Sequence, residues 1–263
     1  MRIMGDSWNP EIYQRFKNER SQPFYDLCAL VEERPEMRAA DLGCGPGDMT
    51  VRLHEQLGAR ETIGLDSSPN MLAQALPRAG QGLRFVPGRI EKFPLEGRFD
   101  LIFSNAALQW LENHEALFEQ FAARLAPGGQ LAVQVPYNEE SEFHRAARDA
   151  AVEFREPLKG YVRHLTALRP EAYSQLLYRL GFTEQRVFLR IYPHVVESLD
   201  AVVEFYRGSL LTAYEARLDG ATYERFVARY REILHERFTD ARPFFFPFPR
   251  ILLWGKMPGG DKR

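Results

Sequence analysis

The stretch Ala39-Ala40-Asp41-Leu42-Gly43-Cys44-Gly45-Pro46-Gly47 decides the fold. A short apolar strand runs straight into three glycines spaced two apart, and Asp48-Met49-Thr50-Val51-Arg52-Leu53 then reads as the opening of a helix. Glycine accepts the left-handed dihedrals such a turn needs, and without a side chain it lets a ligand come up against the backbone. Strand, glycine turn and helix together form the first βα unit of a nucleotide-binding sheet. Glu61-Thr62-Ile63-Gly64-Leu65 supplies the next apolar strand, which Asp66 closes. A carboxylate about 20 residues beyond the glycines is placed to accept from the diol of a ribose.

Outward from this unit, strand and helix alternate to about residue 136. The patterns predict strands at 38–42, 61–65, 83–87, 99–103 and 129–135, and helices over Pro10 to Val31, 46–57, 69–77 and 113–125. Such alternation implies βαβ units and a parallel sheet. Ala126-Pro127-Gly128-Gly129 is expected to stop a helix and launch a strand. Further strands are expected at 184–192 and 249–257, a helical stretch over 139–180, and two amphipathic helices within 198–238. The expectation is an α/β chain: a doubly wound, Rossmann-like, mostly parallel seven-stranded sheet with helical C-terminal insertions forming a lid. One domain spans 1–263, with a core and N-terminal helix over 1–136 and substrate-side insertions at 137–182 and 195–247. Phe244-Phe245-Phe246-Pro247-Phe248 is expected to pack a lid hinge.

Composition narrows the function. Two cysteines, Cys28 and Cys44, make no disulfide framework and suggest a reducing, cytoplasmic setting. No leader pattern or membrane-length apolar run is seen. Residues 1–150 carry 16 basic and 22 acidic side chains, and residues 151–263 carry 18 and 14. That surplus is too mild for a nucleic-acid footprint, but arginine forks in the second half suit a small anionic substrate. The six histidines are scattered without metal-ligand spacing, so no metal site follows, and neither a nucleophile elbow nor a P-loop occurs.

The form Asp41-Leu42-Gly43-Cys44-Gly45-Pro46-Gly47 resembles the first motif of the class I S-adenosylmethionine-dependent methyltransferases more than the spacing of dinucleotide oxidoreductases. The resemblance implies S-adenosyl-L-methionine as cofactor. Gly43, Cys44, Gly45 and Gly47 then let the backbone approach its amino-acid end, and Asp41 receives its ammonium directly or through water. Asp66 and Ser67 face the ribose, and Met71 packs on adenine. Where the family often carries an acid for the adenine amino group, this chain has Arg89, so backbone groups of Arg89 and Ile90 are expected there instead. Asn105, Ala106 and Leu108 resemble the fourth motif and face the methionine part, while Tyr13 and Arg20 of the N-terminal segment reach the methionine carboxylate.

Several segments also resemble the trans-aconitate methyltransferase family: Trp8-Asn9-Pro10, Gly64-Leu65-Asp66-Ser67-Ser68-Pro69, Leu108-Gln109-Trp110, Gln134-Val135-Pro136 and Phe248-Pro249-Arg250. This implies methyl transfer to one carboxylate of a small tricarboxylate, trans-aconitate, giving a monomethyl ester. A carboxylate is already ionised at neutral pH, so no catalytic general base is expected. Acceptor contacts are expected from Gln109, Trp110, Tyr137, Arg190, Tyr206, Arg207 and Arg250. Two alternatives stay open. One is a small-molecule methyltransferase for a different carboxylic acid or a phenolic hydroxyl; the other is a non-enzymatic S-adenosylmethionine-binding regulator.

Overall fold

The structure, a computed structural model, describes residues 17–260. Seven strands form one sheet: β1 (Arg38–Leu42), β2 (Glu61–Asp66), β3 (Leu83–Pro87), β4 (Phe99–Asn105), β5 (Leu125–Pro136), β6 (Glu184–Val196) and β7 (Phe244–Lys256). Their order is β3-β2-β1-β4-β5-β7-β6. The pairs β1–β2, β1–β4, β2–β3 and β4–β5 are parallel, and β7 runs antiparallel to β5. Strand order reverses between β1 and β4, which makes the carboxyl ends of these two strands the switch point where such sheets bind ligands. Ala39, Ala40, Leu42 and Leu101 to Phe103 are fully buried, as parallel strands covered on both faces must be.

The helices are α1 (Lys17–Cys28), α2 (Asp48–Leu57), α3 (Pro69–Ala75), α4 (His114–Arg124), α5 (Glu142–Glu153), α6 (Pro170–Arg179), α7 (Leu199–Arg207), α8 (Thr212–Glu215) and α9 (Gly220–Arg237). α2 starts at Gly47 and stops at Gly58, both left-handed. Ser68, Asn113, Ser141, Ser198 and Asp219 cap α3, α4, α5, α7 and α9 with side-chain oxygens on backbone N–H groups, each cap contributing about 1 kcal/mol. No described helix is long and apolar enough to cross a membrane.

Three sequence expectations are corrected. β5 begins at Leu125, so Pro127 and the two glycines lie inside the strand, where the register with β4 shifts between Phe99 and Leu101. The Phe244–Phe248 run is the start of β7 rather than a hinge. Phe244, Phe246 and Phe248 are buried and Phe245 is exposed, the period of two that a strand imposes. The stretch 139–180 is two helices separated by irregular chain, and 198–238 holds three.

Contacts divide the chain into two compact units. One comprises Arg20–Tyr137, Thr166–Arg190 and the chain from Pro249 on; the other is mainly Asn138–Leu165 and Ile191–Phe248. The first has a core built on the sheet, including Ile63, Leu65, Phe93, Phe99, Phe118, Phe121 and Leu131. The second, an insertion unit, has its own aromatic core, where Phe143 stacks on Phe238 at 5.0 Å and Tyr214 packs on Phe226 at 4.6 Å. Burying such rings stabilises by roughly 1.5–3 kcal/mol each.

Candidate active site

The three glycines of the first turn do different jobs. At Gly43 (φ 80°) a Cβ would fall 2.2 Å from the Ala107 Cβ, so its absence lets the loop after β4 lie against the loop after β1. At Gly47 (φ 80°) a Cβ would meet the Phe85 ring at 2.8 Å and Ala75 at 2.9 Å. At Gly45 (φ 56°) a Cβ would meet nothing within 4 Å. Two glycines therefore serve packing, and one leaves open space against a bare backbone, the cradle a docking ligand requires. Gly43 and Cys44 both donate their N–H to the Leu65 carbonyl (2.8 and 3.1 Å), tying this turn to the end of β2.

Two acids frame the cradle. Asp66 accepts from the Gly45 N–H through Oδ2 (2.8 Å) and from the Ser68 N–H through Oδ1 (2.8 Å). Both oxygens are oriented by backbone N–H groups, so the carboxylate is held in place. Asp41 is buried, and its Oδ2 accepts from the Thr50 hydroxyl at 2.6 Å. Burial pushes its carboxyl up to about 7; the Thr50 bond opposes that rise, and the negative charge of Asp66 adds to it. Cys44 packs with Leu72, Ala75, Leu83 and Phe85, and burial raises its thiol far above the usual range. Met71 is buried on α3, whereas Ser67 is exposed. The Arg89 side chain is exposed and pairs with Glu91 at 2.6 Å, while Ile90 is buried in the core. Tyr13 and the Arg20 side chain lie outside the described residues.

The loop after β4 completes this end of the sheet. Asn105 pairs in register with Gln134 of β5. Ala106 adopts φ 55°, a conformation costing an L-residue roughly 1–2 kcal/mol. It is held there by its N–H on the Gln134 carbonyl (3.0 Å) and its carbonyl on Gln109 Nε2 (2.7 Å). Leu108 opens a 3-10 turn, Leu108–Trp110, whose first carbonyl bonds His114 Nε2 at 3.0 Å. His114 Nδ1 lies 2.5 Å from the Tyr173 hydroxyl, and Thr166 Oγ1 reaches the Gln109 carbonyl at 3.4 Å. Burial lowers the His114 pKa; the neutral ring latches the loop to the 166–173 segment. Asn105 Oδ1, Gln109 Oε1 and Gln134 Nε2 are buried without a hydrogen-bond partner.

The expected acceptor residues fall in different surroundings. Arg250 is buried and donates to Gln134 Oε1 at 3.1 Å. Tyr137 is half-buried beside the core and donates its N–H to the Pro249 carbonyl at 2.9 Å. Trp110 is partly exposed. Arg190 is an exposed β6 residue paired with Asp26 at 3.2 Å. In the insertion unit, Tyr206 is buried and receives the Asn138 amide at 3.3 Å. Arg207 on the same helix turns to Glu224 at 2.6 Å and Glu204 at 3.8 Å. The structure thus brings Asn105 and Arg250 to Gln134, ties Gln109 to the Ala106 carbonyl, and engages Arg190 and Arg207 in ion pairs. Sequence reasoning missed Gln134 and His114. A glutamine inside the apolar run Leu131-Ala132-Val133-Gln134-Val135 was the available signal for the first; His114 was weighed only as a metal ligand.

A doubly wound sheet with a glycine cradle, a preorganised acid after β2 and a latched loop after β4 defines an α/β methyltransferase. The methyltransferase domain family model matches residues 39–129. The fold is shared with the YcgJ protein of Bacillus subtilis: TM-score 0.63, 18% identity, covering 91% of this chain and 99% of that one. It is also shared with a phosphoethanolamine N-methyltransferase 2 of Haemonchus contortus solved with S-adenosyl-L-methionine: TM-score 0.55, 19% identity, covering 90% and 52%. Across the whole length the likeness is sharper. The trans-aconitate 2-methyltransferase of Deinococcus radiodurans is 41% identical over 258 residues, covering 96% of this chain and 99% of that one. That of Streptomyces coelicolor is 38% identical over 274 residues, covering 99% and 90%. The chain belongs to the trans-aconitate 2-methyltransferase family.

Proposed function

We propose that this protein transfers a methyl group from S-adenosyl-L-methionine to one carboxylate of trans-aconitate, giving a monomethyl ester. The Gly45 cradle, open where a Cβ would stand, and Asp66, whose two oxygens are already oriented by backbone N–H groups, fit this cofactor. Asp66 would take the ribose diol, Asp41 the ammonium, Met71 the adenine face, and the backbone of Gly43 to Gly47 the amino-acid end. Asn105, Ala106 and Leu108 would face the methionine chain, and backbone groups at Arg89 and Ile90 the adenine edge. When bound, the cofactor supplies a methyl group on a sulfonium, a leaving centre that needs no further activation.

One observation carries the acceptor half of the reading: the buried Arg250 guanidinium on Gln134, one strand from Asn105. Its planar fork matches a carboxylate in a bidentate way. Arg250 and Gln134 would orient the acid, with Gln109, Trp110 and Tyr137 beside it. The attacking oxygen is already an anion at neutral pH, so these groups act by alignment and partial desolvation, effects worth up to roughly 7–11 kcal/mol where alignment is ideal.

Incubation with S-adenosylmethionine and a panel of trans-aconitate, cis-aconitate, citrate, isopropylmalate and a long-chain fatty acid, read by mass spectrometry, tests this. A trans-aconitate monomethyl ester formed far faster than any other product is expected. Faster esterification of another acid moves the acceptor; cofactor binding without any product makes the protein a sensor.

A further inference from the structure

The loop after β4 is bracketed by two left-handed residues that are not glycine, Ala106 and Asn113, both at φ 55°. Such a backbone is unfavourable for an L-residue and persists where the surrounding structure over-determines it. Between the two, the chain lies so close to the glycine turn after β1 that a Cβ on Gly43 would stand 2.2 Å from the Ala107 Cβ. One wall of the cradle is therefore a strained turn, and specific contacts must hold it.

A one-way chain of hydrogen bonds does so, all within the sheet-based unit. The Leu168 N–H donates to the Tyr173 hydroxyl oxygen at 3.2 Å, and that oxygen lies 2.5 Å from His114 Nδ1. His114 Nε2 lies 3.0 Å from the Leu108 carbonyl. A carbonyl only accepts, so Nε2 carries the proton, Nδ1 accepts, and the Tyr173 hydroxyl donates to it. A second line of bonds runs through the turn itself. Thr166 Oγ1 donates to the Gln109 carbonyl at 3.4 Å, Gln109 Nε2 to the Ala106 carbonyl at 2.7 Å, and the Ala106 N–H to the Gln134 carbonyl at 3.0 Å.

His114 and Tyr173 are 2% and 0% exposed, in a core that includes Leu108, Leu117, Phe118 and Phe121. Apolar side chains would fill such a core without the cost of desolvating polar groups. A fully satisfied polar chain instead fixes one arrangement. We infer that His114 and Tyr173 are positioning residues for methyl transfer: through the Leu108 carbonyl they hold the 106–110 turn against the glycine cradle in the geometry that in-line transfer needs. The inference rests on the methyl-transfer reading above and adds two residues that act through the turn. Asp66 and Arg250, proposed to hold the cofactor and the acid, lie on other segments. Loosening the turn should therefore slow the chemical step while both ligands still bind.

Tyr173→Phe removes the hydroxyl and keeps the ring, which stacks on Phe118 at 5.4 Å. In the full-length protein the single-turnover rate of methyl transfer to trans-aconitate should fall about ten- to hundredfold, the sensitivity expected of a misalignment of about 1 Å. The cofactor Kd by calorimetry and the KM for trans-aconitate should stay within about threefold of wild type, the split that marks an interaction needed for the transition state. Without ligand, the Trp110 and Leu111 amides, which bond the Ala107 and Leu108 carbonyls, should exchange with deuterium faster while those of β4 and β5 keep their rates. A variant that merely melts earlier, or whose turn exchanges faster at a wild-type rate of transfer, overturns the positioning role and leaves the esterification standing. If Tyr173→Phe fails to fold, His114→Gln and His114→Asn decide. Glutamine carries an amide near the place of Nε2 and asparagine near that of Nδ1, so His114→Gln should retain the faster transfer; equal rates overturn the role. A wild-type protein that methylates no acid overturns the reading beneath, and the positioning role with it.

Discussion

Gly43 and Gly45, two residues apart in one loop, should respond to the same added methyl group in different ways. In Gly43→Ala the new Cβ falls 2.2 Å from the Ala107 Cβ, deep within contact distance, at a residue with φ 80°. The left-handed backbone costs about 1–2 kcal/mol and the overlap about 1–3 kcal/mol more. The sum is about 2–5 kcal/mol, or about 4–20 °C in the thermal midpoint of a chain this size. In Gly45→Ala the Cβ meets no protein atom within 4 Å at φ 56°, so only the backbone cost of about 1–2 kcal/mol applies. Its methyl group, however, stands where the cofactor is proposed to approach. Its cofactor Kd should therefore rise at least about tenfold, 1.4 kcal/mol. Scanning calorimetry without ligand, followed by titration with S-adenosylhomocysteine, separates the two effects. The reasoning is refuted if Gly43→Ala melts with the wild type, or if Gly45→Ala binds the nucleoside as tightly as the wild type does.

Asp41 links stability to pH. Its folded pKa of about 7 lies above the ordinary carboxylate value, so its protonated form favours the fold. The ligand-free protein should lose about 2–4 kcal/mol from this group as pH rises from about 4 to 7, with no further loss above. Asp41→Asn should flatten that part of the thermal midpoint profile and weaken cofactor binding at pH 8; parallel profiles for the two proteins would count against the assignment. Asp66→Ala should raise the cofactor Kd by about ten- to hundredfold, the loss of hydrogen bonds to a charged acceptor, and unchanged affinity by calorimetry would remove it from the ribose site. Arg250→Ala should raise the trans-aconitate KM by a similar factor of about ten to a hundred with cofactor affinity intact; if only the melting temperature falls, Arg250 is structural.

The parallel core was legible because strands buried on both faces read as unbroken apolar runs, and β1 to β4 begin where the patterns put them. The pairing of the glycine turn with Asp66 was legible for the same local reason: turn, strand and acid follow one another in the chain. The start of β7 was missed because its five-residue aromatic run hides an alternation that only burial reveals, Phe245 outward and its neighbours inward. Among the arginines, sequence could not separate Arg250, buried on Gln134, from Arg207 and Arg190, which end in ion pairs with Glu224 and Asp26. The partners Gln134, Glu224 and Asp26 are all distant in the chain, and only Glu204, which Arg207 also meets, is local.

The central claim is that this protein makes a carboxylic ester of trans-aconitate. It is tested most directly by supplying S-adenosylmethionine labelled at the methyl group and measuring kcat/KM for label entering trans-aconitate, then treating the product with mild alkali. The account predicts one label per acid, released as methanol by alkali, with kcat/KM well above that for cis-aconitate or citrate. Label that survives alkali, or that prefers another acceptor by the same measure, would contradict it.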